Sequence, residues 1–228
     1  VKTVILGDGL LGSELVKQSG WDYISRKKDK IDISDFNSWM FKLSLYDTVI
    51  NCIANTNTYS NEKEMHWKVN YEFVDTLVTF CNETGKKLVH ISTDYIYSNS
   101  KSEASEEDVP VHLETWYGYT KLLGDAHVQL KANNFLIVRT SHKPYPFPHK
   151  EAWLDQHTNG DYVNIISSLI LELINKNITG VYNVGTEIKS WFDLTYEEFK
   201  TIGIQKPDYV PKNITMDITK LKSIINEL

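Results

Sequence analysis

The chain has 228 residues, 41% of them hydrophobic, with 24 Lys+Arg against 30 Asp+Glu and a formal net charge of −6. That acidic balance argues against a nucleic-acid binder, whose footprint is a basic excess or stripe. No apolar run approaches the roughly 20 residues of a membrane helix, and the N-terminus opens directly on a strand-like run, so the chain reads as soluble and unprocessed. Cys52 and Cys81 offer neither a disulfide framework nor metal-type spacing, which fits a reducing, cytosolic compartment.

The predicted elements alternate. Lys2-Thr3-Val4-Ile5-Leu6 is continuous and apolar, as a strand covered on both faces would be. Gly7 to Gly12 interrupts it, and a helix over 13–19 follows, ended by Gly20. A short strand runs from Trp21 to Ile24, a helix is expected over 35–43 behind Ser34 as N-cap, and Thr48-Val49-Ile50 is the third strand. The apolar positions Val69, Phe73, Val74, Leu77, Val78 and Cys81 keep the 3.6-residue period of a helix over 65–83. Lys87 to Ile91 is the fourth strand, 98–108 a polar loop, 116–131 a helix and Phe135 to Val138 the fifth strand. Helix over 163–175, strand over 181–184 and short helices over 194–200 and 218–225 complete the reading. This β-α alternation calls for an α/β, doubly wound parallel sheet with right-handed crossovers. The expected division is a core over 1–141 and a small lobe over 142–228, with 162–186 returning to the core.

Gly7-Asp8-Gly9-Leu10-Leu11-Gly12 is a G-x-G-x-x-G between strand and helix. Glycines there permit a tight turn and close approach of backbone to a pyrophosphate, and the helix N-terminus offers N–H groups to phosphate. A turn serving packing only is the alternative. The second strand runs into Ser25-Arg26-Lys27-Lys28 with no acid for a ribose 2′-hydroxyl. A hydroxyl and a guanidinium suit a 2′-phosphate, so NADP(H) is favoured over NAD(H), against the alternative of a solvated basic loop. Asp32, just beyond, is a candidate for the adenine amino group.

Tyr117 and Lys121 stand four apart and share a helix face. A phenol is a poor acid–base group at neutral pH, and a nearby ammonium lowers its pKa, so Tyr117 is a candidate proton-transfer residue. Ser92-Thr93-Asp94-Tyr95 and Asn51 to Ala54 follow strands at the same carboxyl edge, where open α/β sheets bind ligands.

These residues resemble the extended short-chain dehydrogenases/reductases, and within them the dTDP-4-dehydrorhamnose reductase branch. The matching text is Val49-Ile50-Asn51, Val69-Asn70, Ser92-Thr93-Asp94-Tyr95-Ile96-Tyr97, Tyr117-Gly118-Tyr119-Thr120-Lys121-Leu122-Leu123-Gly124-Asp125 and Val138-Arg139-Thr140-Ser141. The resemblance implies Thr93, Tyr117 and Lys121 as catalytic, with Tyr117 the proton donor. It implies NAD(P)H held by Gly7, Gly9, Leu10, Leu11, Gly12, Ser25, Arg26, Lys27, Asp32, Asn51, Cys52, Ile53, Ala54, Ser92, Tyr117, Lys121 and Thr140. A nucleotide-linked 4-keto-6-deoxy sugar would lie against Asn55, Thr93, Asp94, Tyr95 and His142. Asp94-Tyr95 stands where sugar 4,6-dehydratases of the family carry Asp-Glu, which favours a 4-keto reductase. An epimerase of the same superfamily and a non-catalytic NADP-binding regulatory subunit are the alternatives.

The chain departs from the family in its one-residue-shorter glycine turn, in Asp125 for the usual Glu, and in a shortened C-terminal lobe. His66, His90, His112 and His127 are expected to pack or face solvent, with no metal site. The aromatic, proline-rich stretch 144–153 is either a lid over a nucleotide base or a stiffened surface loop. The helices over 65–83 and 116–131 either form a homodimer interface or are covered within the monomer.

Overall fold

The computed structural model describes residues 1–108 and 114–225. Six strands form one parallel sheet: β1 (Thr3–Leu6), β2 (Asp22–Ile24), β3 (Thr48–Asn51), β4 (Lys87–Ile91), β5 (Phe135–Thr140) and β6 (Gly180–Val184), in the order β6-β5-β4-β3-β1-β2. The helices are α1 (Leu10–Ser19), α2 (Phe73–Thr84), α3 (Trp116–Lys131), α4 (Val163–Asn175), α5 (Trp191–Phe199) and α6 (Thr219–Ile224). Successive strand residues serve opposite faces. Ile5, Ile50, Val89 and Leu136 pack with Leu15 of α1 and with Ile166 and Ile170 of α4. Val4, Val49, Leu88 and Ile137 pack with Phe73, Leu77 and Val78 of α2 and Val128 of α3. Both sheet faces are therefore dry, which is why the strands read as unbroken apolar runs. The chain builds β2 on one side of β1 and β3 on the other, so strand order reverses at the carboxyl ends of β1 and β3. Open sheets place ligands at such a reversal.

Two local features differ from the sequence reading. The expected helix over 35–43 is two 3₁₀ turns, Ile33–Ser38 and Met40–Leu43. Asp35 is non-helical (φ −123°, ψ 54°), and the Trp39 indole donates to the Asp32 carbonyl at 2.8 Å, so a tertiary contact competes with helix propagation. The long helix before β4 starts at Lys63 and is interrupted by a π turn at Lys68–Glu72. The apolar side chains of α2 are buried against the chain's own sheet, as is Val128 of α3, while Met65 and Leu130 on the same two helical segments are exposed. No helix among the described residues is long and apolar enough to cross a membrane.

Residues 142–162 and 185–225 pack over the carboxyl edge of the sheet. His142–Lys143 pairs with Asp161–Tyr162, Glu151–Trp153 with Ile202–Ile204, and His157–Thr158 with Lys189–Ser190. Phe147, Tyr162 and Trp191 are the buried aromatic centre of this lobe. Tyr145 packs on Tyr162 and Phe199 and bonds Glu198, so the proline-rich stretch is anchored to α5. Ser190 caps α5 in a reciprocal pairing with Asp193, and the Trp191 indole donates to Gln156 at 2.9 Å.

Candidate active site

The glycine loop is shaped for close approach. Gly7 takes φ +97°, and its N–H bonds the Ile24 carbonyl at 2.9 Å, tying the loop to β2. A Cβ on Gly12 would stand 2.1 Å from the Gly7 oxygen, so only glycine lets α1 start this close to β1. A Cβ on Gly9 would meet nothing within 4 Å, leaving the outer side of the loop open. Gly9 is also the N-cap of α1, with no side chain capping the helix. The first-turn N–H groups and the positive end of the helix are therefore available to an anion. At the end of β5 the Thr140 hydroxyl is buried with no hydrogen-bond partner among the described residues. An open glycine, an uncapped helix start and an orphaned hydroxyl on one sheet edge fit a dinucleotide. Leu10 is exposed, whereas Leu11 points into the core, so Leu11 has only its backbone to offer a ligand. Gly12→Ala is expected to abolish dinucleotide binding in a titration and to lower stability by about 1–3 kcal/mol, because the added methyl overpacks the helix–strand contact.

At the adenosine end, the Ser25 hydroxyl is spent inside the protein. It accepts from Lys28 N at 3.1 Å, capping the short helix Arg26–Asp29, and donates to Asp8 Oδ2 at 3.0 Å. With its side chain fully buried, Ser25 shapes the corner instead of presenting a free hydroxyl. Arg26 and Lys27 are exposed beside it, and Lys28 folds back over the Tyr23 ring at 4.1 Å. The exposed Asp32 carboxylate accepts Ser34 N at 2.8 Å, closing its own turn.

Beyond β3, Asn51 is buried. Its Oδ1 accepts Ile53 N at 3.1 Å and its amide faces the His90 ring at 3.4 Å, so it fixes the loop from within. Cys52 and Ile53 lie against the positions a Cβ would take on Gly12 and Gly7, and burial pushes the Cys52 thiol up to about 12. Ala54 and Asn55 are half-buried, with Asn55 N–H donating to Asn70 Oδ1 at 2.8 Å. His66 and His90 are buried, His127 pairs with Asp75 at 2.8 Å, and His112 lies outside the described residues.

The candidate catalytic groups meet at the end of β4. Thr93 follows buried Ser92, and Tyr117 stands on the first turn of α3, near enough to the Thr93 side chain for that hydroxyl to favour its phenolate. Burial pushes the Tyr117 phenol up to about 12, and the Thr93 contact lowers it only in part. Lys121 lies one turn along, buried, its ammonium donating to the Ile91 carbonyl at 2.5 Å. Burial pulls that ammonium down to about 8. Lys121, which the spacing expects to lower the phenol, is not among the groups acting on it; burial dominates, and at neutral pH Tyr117 holds its proton.

Of the expected substrate residues, Asp94 turns inward: it is wholly buried, with Oδ2 accepting Thr158 Oγ1 at 3.1 Å and Oδ1 accepting Thr93 Oγ1 at 3.4 Å, so it backs Thr93, whereas His142 is half-buried. The His142 ring nitrogen Nδ1 is buried without a hydrogen-bond partner, and burial draws that imidazole down to about 4. Tyr95, half-buried, bonds the Tyr59 hydroxyl at 2.7 Å, and its ring meets Tyr117 edge-on at 6.0 Å. Beside these rings opens a cavity of about 850 Å³ lined by Tyr59, Trp116, Tyr119 and Tyr209 among others, within the size range of small-molecule sites.

Sequence reasoning gave no role to Asn70, Tyr59, Lys143, Gln156 or Thr158. Asn70 sits in the π turn, its amide donating to the Asn55 carbonyl and to Thr120 Oγ1, both at 3.2 Å. It therefore joins the β3 loop to α3. Tyr59 and Gln156 lie in irregular segments, and Lys143 and Thr158 in two-residue strands, so their neighbours are set by tertiary packing.

Residues 1–142 match the family model described as the RmlD substrate binding domain. The spore coat polysaccharide biosynthesis protein SpsK of Bacillus subtilis is 27% identical, covering 90% of this chain and 80% of that protein. A dTDP-4-dehydrorhamnose reductase of Mycolicibacterium smegmatis is 30% identical over 61% of this chain, and the match spans 45% of that reductase. Among solved structures, a hypothetical dTDP-4-dehydrorhamnose reductase from Sulfolobus tokodaii superposes with a TM-score of 0.84 at 25% identity, over 99% of this chain and 95% of that one.

Proposed function

The chain belongs to the RmlD substrate binding domain family, and from that premise we propose that it is an NADPH-dependent reductase acting on the 4-keto group of a nucleotide-activated 6-deoxy sugar. The observation that carries the reading is the Tyr117–Thr93 hydroxyl pair at the carboxyl edge of β4, with Lys121 one turn behind and the open glycine loop on the same rim. A bound NAD(P)H supplies the hydride. The α1 N-terminus, Gly9 and Thr140 would hold its phosphates and neighbouring polar groups, and Arg26 and Lys27 the 2′-phosphate.

Tyr117 performs the acid half of the reaction. A phenol held near 12 is fully protonated at neutral pH, and it gives that proton to the carbonyl oxygen as charge develops there. Thr93 orients the same oxygen. Lys121, anchored by Ile91, holds a positive charge beneath the site that favours the developing anion. The cavity edged by Tyr59, Trp116, Tyr119 and Tyr209 accommodates the remainder of a nucleotide sugar.

The test is a thermal-shift panel with NADPH, NADH and several nucleotide sugars, followed by nicotinamide absorbance on dTDP-4-keto-6-deoxyglucose. Cofactor stabilisation without response to any nucleotide sugar would move the assignment to a regulatory subunit. For the cofactor, Arg26→Ala with Lys27→Ala is expected to raise the KM for NADPH about 10–100-fold while leaving that for NADH unchanged, the loss expected for charge-assisted hydrogen bonds. A wild-type preference for NADH defeats this assignment.

A further inference from the structure

One wall of the site is a chain of hydrogen bonds whose donors outnumber its acceptors. The buried Trp191 indole, which can only donate, bonds Gln156 Oε1 at 2.9 Å, so the Gln156 amide presents its nitrogen on the other side. That Nε2 donates to the Pro211 carbonyl at 3.0 Å and to the Tyr95 hydroxyl at 3.4 Å. The Tyr95 hydroxyl in turn lies 2.7 Å from the Tyr59 hydroxyl. Burial pushes both phenols above their ordinary value, so both hydrogens are present at neutral pH. Only one of them can lie between the two oxygens, and the other has no acceptor among the described residues.

The inner hydroxyl decides the direction. Were Tyr59 to donate inward, the Tyr95 hydrogen would be stranded in a half-buried position, and an unmade hydrogen bond costs most where water is scarce. Tyr95 therefore donates to Tyr59, and the spare hydrogen belongs to Tyr59, which is 38% exposed and lines the cavity of about 850 Å³. Its ring is braced edge-on by Tyr209 at 4.9 Å and by Tyr95 at 6.4 Å. The loop beneath it is closed by Ser60 N–H donating to the Asn57 carbonyl at 3.0 Å. The donor is thus held in place before any ligand arrives, which lowers the ordering cost of binding.

We propose that Tyr59 is a specificity-determining residue that donates this spare hydrogen to a ring hydroxyl of the sugar; the proposal rests on the 4-keto reductase reading above. Two observations choose the acceptor. Tyr95 packs on Tyr59 and also meets the ring of Tyr117 at 6.0 Å, which sets the Tyr59 hydroxyl near the sugar ring and away from the base. The cavity lining includes Glu114 and neither lysine nor arginine, which suits an uncharged oxygen better than a phosphate. On a 4-keto-6-deoxy sugar the uncharged acceptors beside the carbonyl side of the ring are the hydroxyls at C2 and C3. The hydroxyl changes no charge during the reduction, so the bond holds ground state and transition state alike and acts on KM, not on kcat.

The experiment compares wild type and Tyr59→Phe in steady state with NADPH and dTDP-4-keto-6-deoxyglucose, and again with the analogues lacking the 2- or the 3-hydroxyl. Phenylalanine keeps the ring contacts with Tyr95 and Tyr209 and removes only the donor. The expected result is a KM for the sugar raised about 3–10-fold, the range for one neutral hydrogen bond, with kcat, the KM for NADPH and Tm unchanged. On one of the two deoxy analogues wild type should lose the same factor, and the two proteins should then agree. That second measurement needs no variant to fold. An unchanged KM in Tyr59→Phe, or a gap between the proteins that persists on both analogues, overturns the assignment, as does a fall in kcat together with weaker NADPH binding. Turnover by wild type with any of these outcomes leaves the reductase reading standing and removes only the role of Tyr59. Absence of turnover by wild type on any nucleotide sugar overturns the functional reading and the assignment with it.

Discussion

Tyr117→Phe is expected to lower kcat by about 10²–10⁴-fold, the range for removing a positioned general acid, with cofactor affinity and Tm near wild type. The phenol ring packs edge-on against Tyr95 at 6.0 Å and His66 at 6.4 Å, and phenylalanine keeps both contacts. What it removes is the hydroxyl beside Thr93. Because burial holds the phenol near 12, the wild-type proton is present across the whole neutral range, and the loss should be seen equally at pH 6 and pH 8. Steady-state kinetics together with a thermal melt separate this from a folding defect. Full turnover by Tyr117→Phe would rule out the assigned acid.

Arg139→Ala is expected to destabilise the protein by about 3–5 kcal/mol, read as a lowered urea midpoint at constant m-value. Arg139 on β5 grips Asp125 of α3 with two parallel bonds, Nε to Oδ2 at 2.9 Å and Nη2 to Oδ1 at 3.0 Å. The two side chains are 3% and 0% exposed. Burial pushes the Asp125 carboxyl up, but the hydrogen bonds and charge of Arg139 outweigh it and hold the group below its ordinary value. Nη1 also reaches the Tyr97 hydroxyl at 2.6 Å and the Glu106 carbonyl at 3.1 Å, and Tyr97 continues to Asn183 on β6 at 2.9 Å. Removing the guanidinium strands a buried carboxylate and unties α3 from the sheet. Asp125→Asn with Arg139→Met should recover part of the loss, since an uncharged pair leaves nothing buried and uncompensated. A midpoint for Arg139→Ala within about 0.5 kcal/mol of wild type would show that the pair carries no load.

The parallel sheet was legible because both of its faces are dry. Strands such as Thr48–Asn51 appear as β-branched apolar runs, and the glycines after β1 mark the one place where strand and helix meet too closely for a Cβ. Tyr117, Thr93 and Lys121 were readable because each stands at a fixed distance from a strand end or on one helix face. The cap that Ser25 forms was not readable, because a hydroxyl beside arginine suits a phosphate equally as a cap, and its bond to Asp8 is set by the fold. The segment over 35–43 has a helical composition, yet the bond from Trp39 to Asp32 bends it into 3₁₀ turns. The π turn escapes because the apolar period runs through it without a break. Asp94 was named for its place after Thr93, but its inward partner is Thr158, 64 positions away in a two-residue strand. No local pattern carries that information.

Gly124 has a wider consequence. A Cβ there would stand 2.5 Å from the Asn70 carbonyl oxygen, so α3 rests on the backbone of the π turn with no side chain between them. Tyr117 is carried by a helix whose height above the sheet is set seven residues away. A larger residue at this position would lift Tyr117 and Lys121 together, so the candidate acid and its neighbouring ammonium keep their places through a contact that involves neither of them.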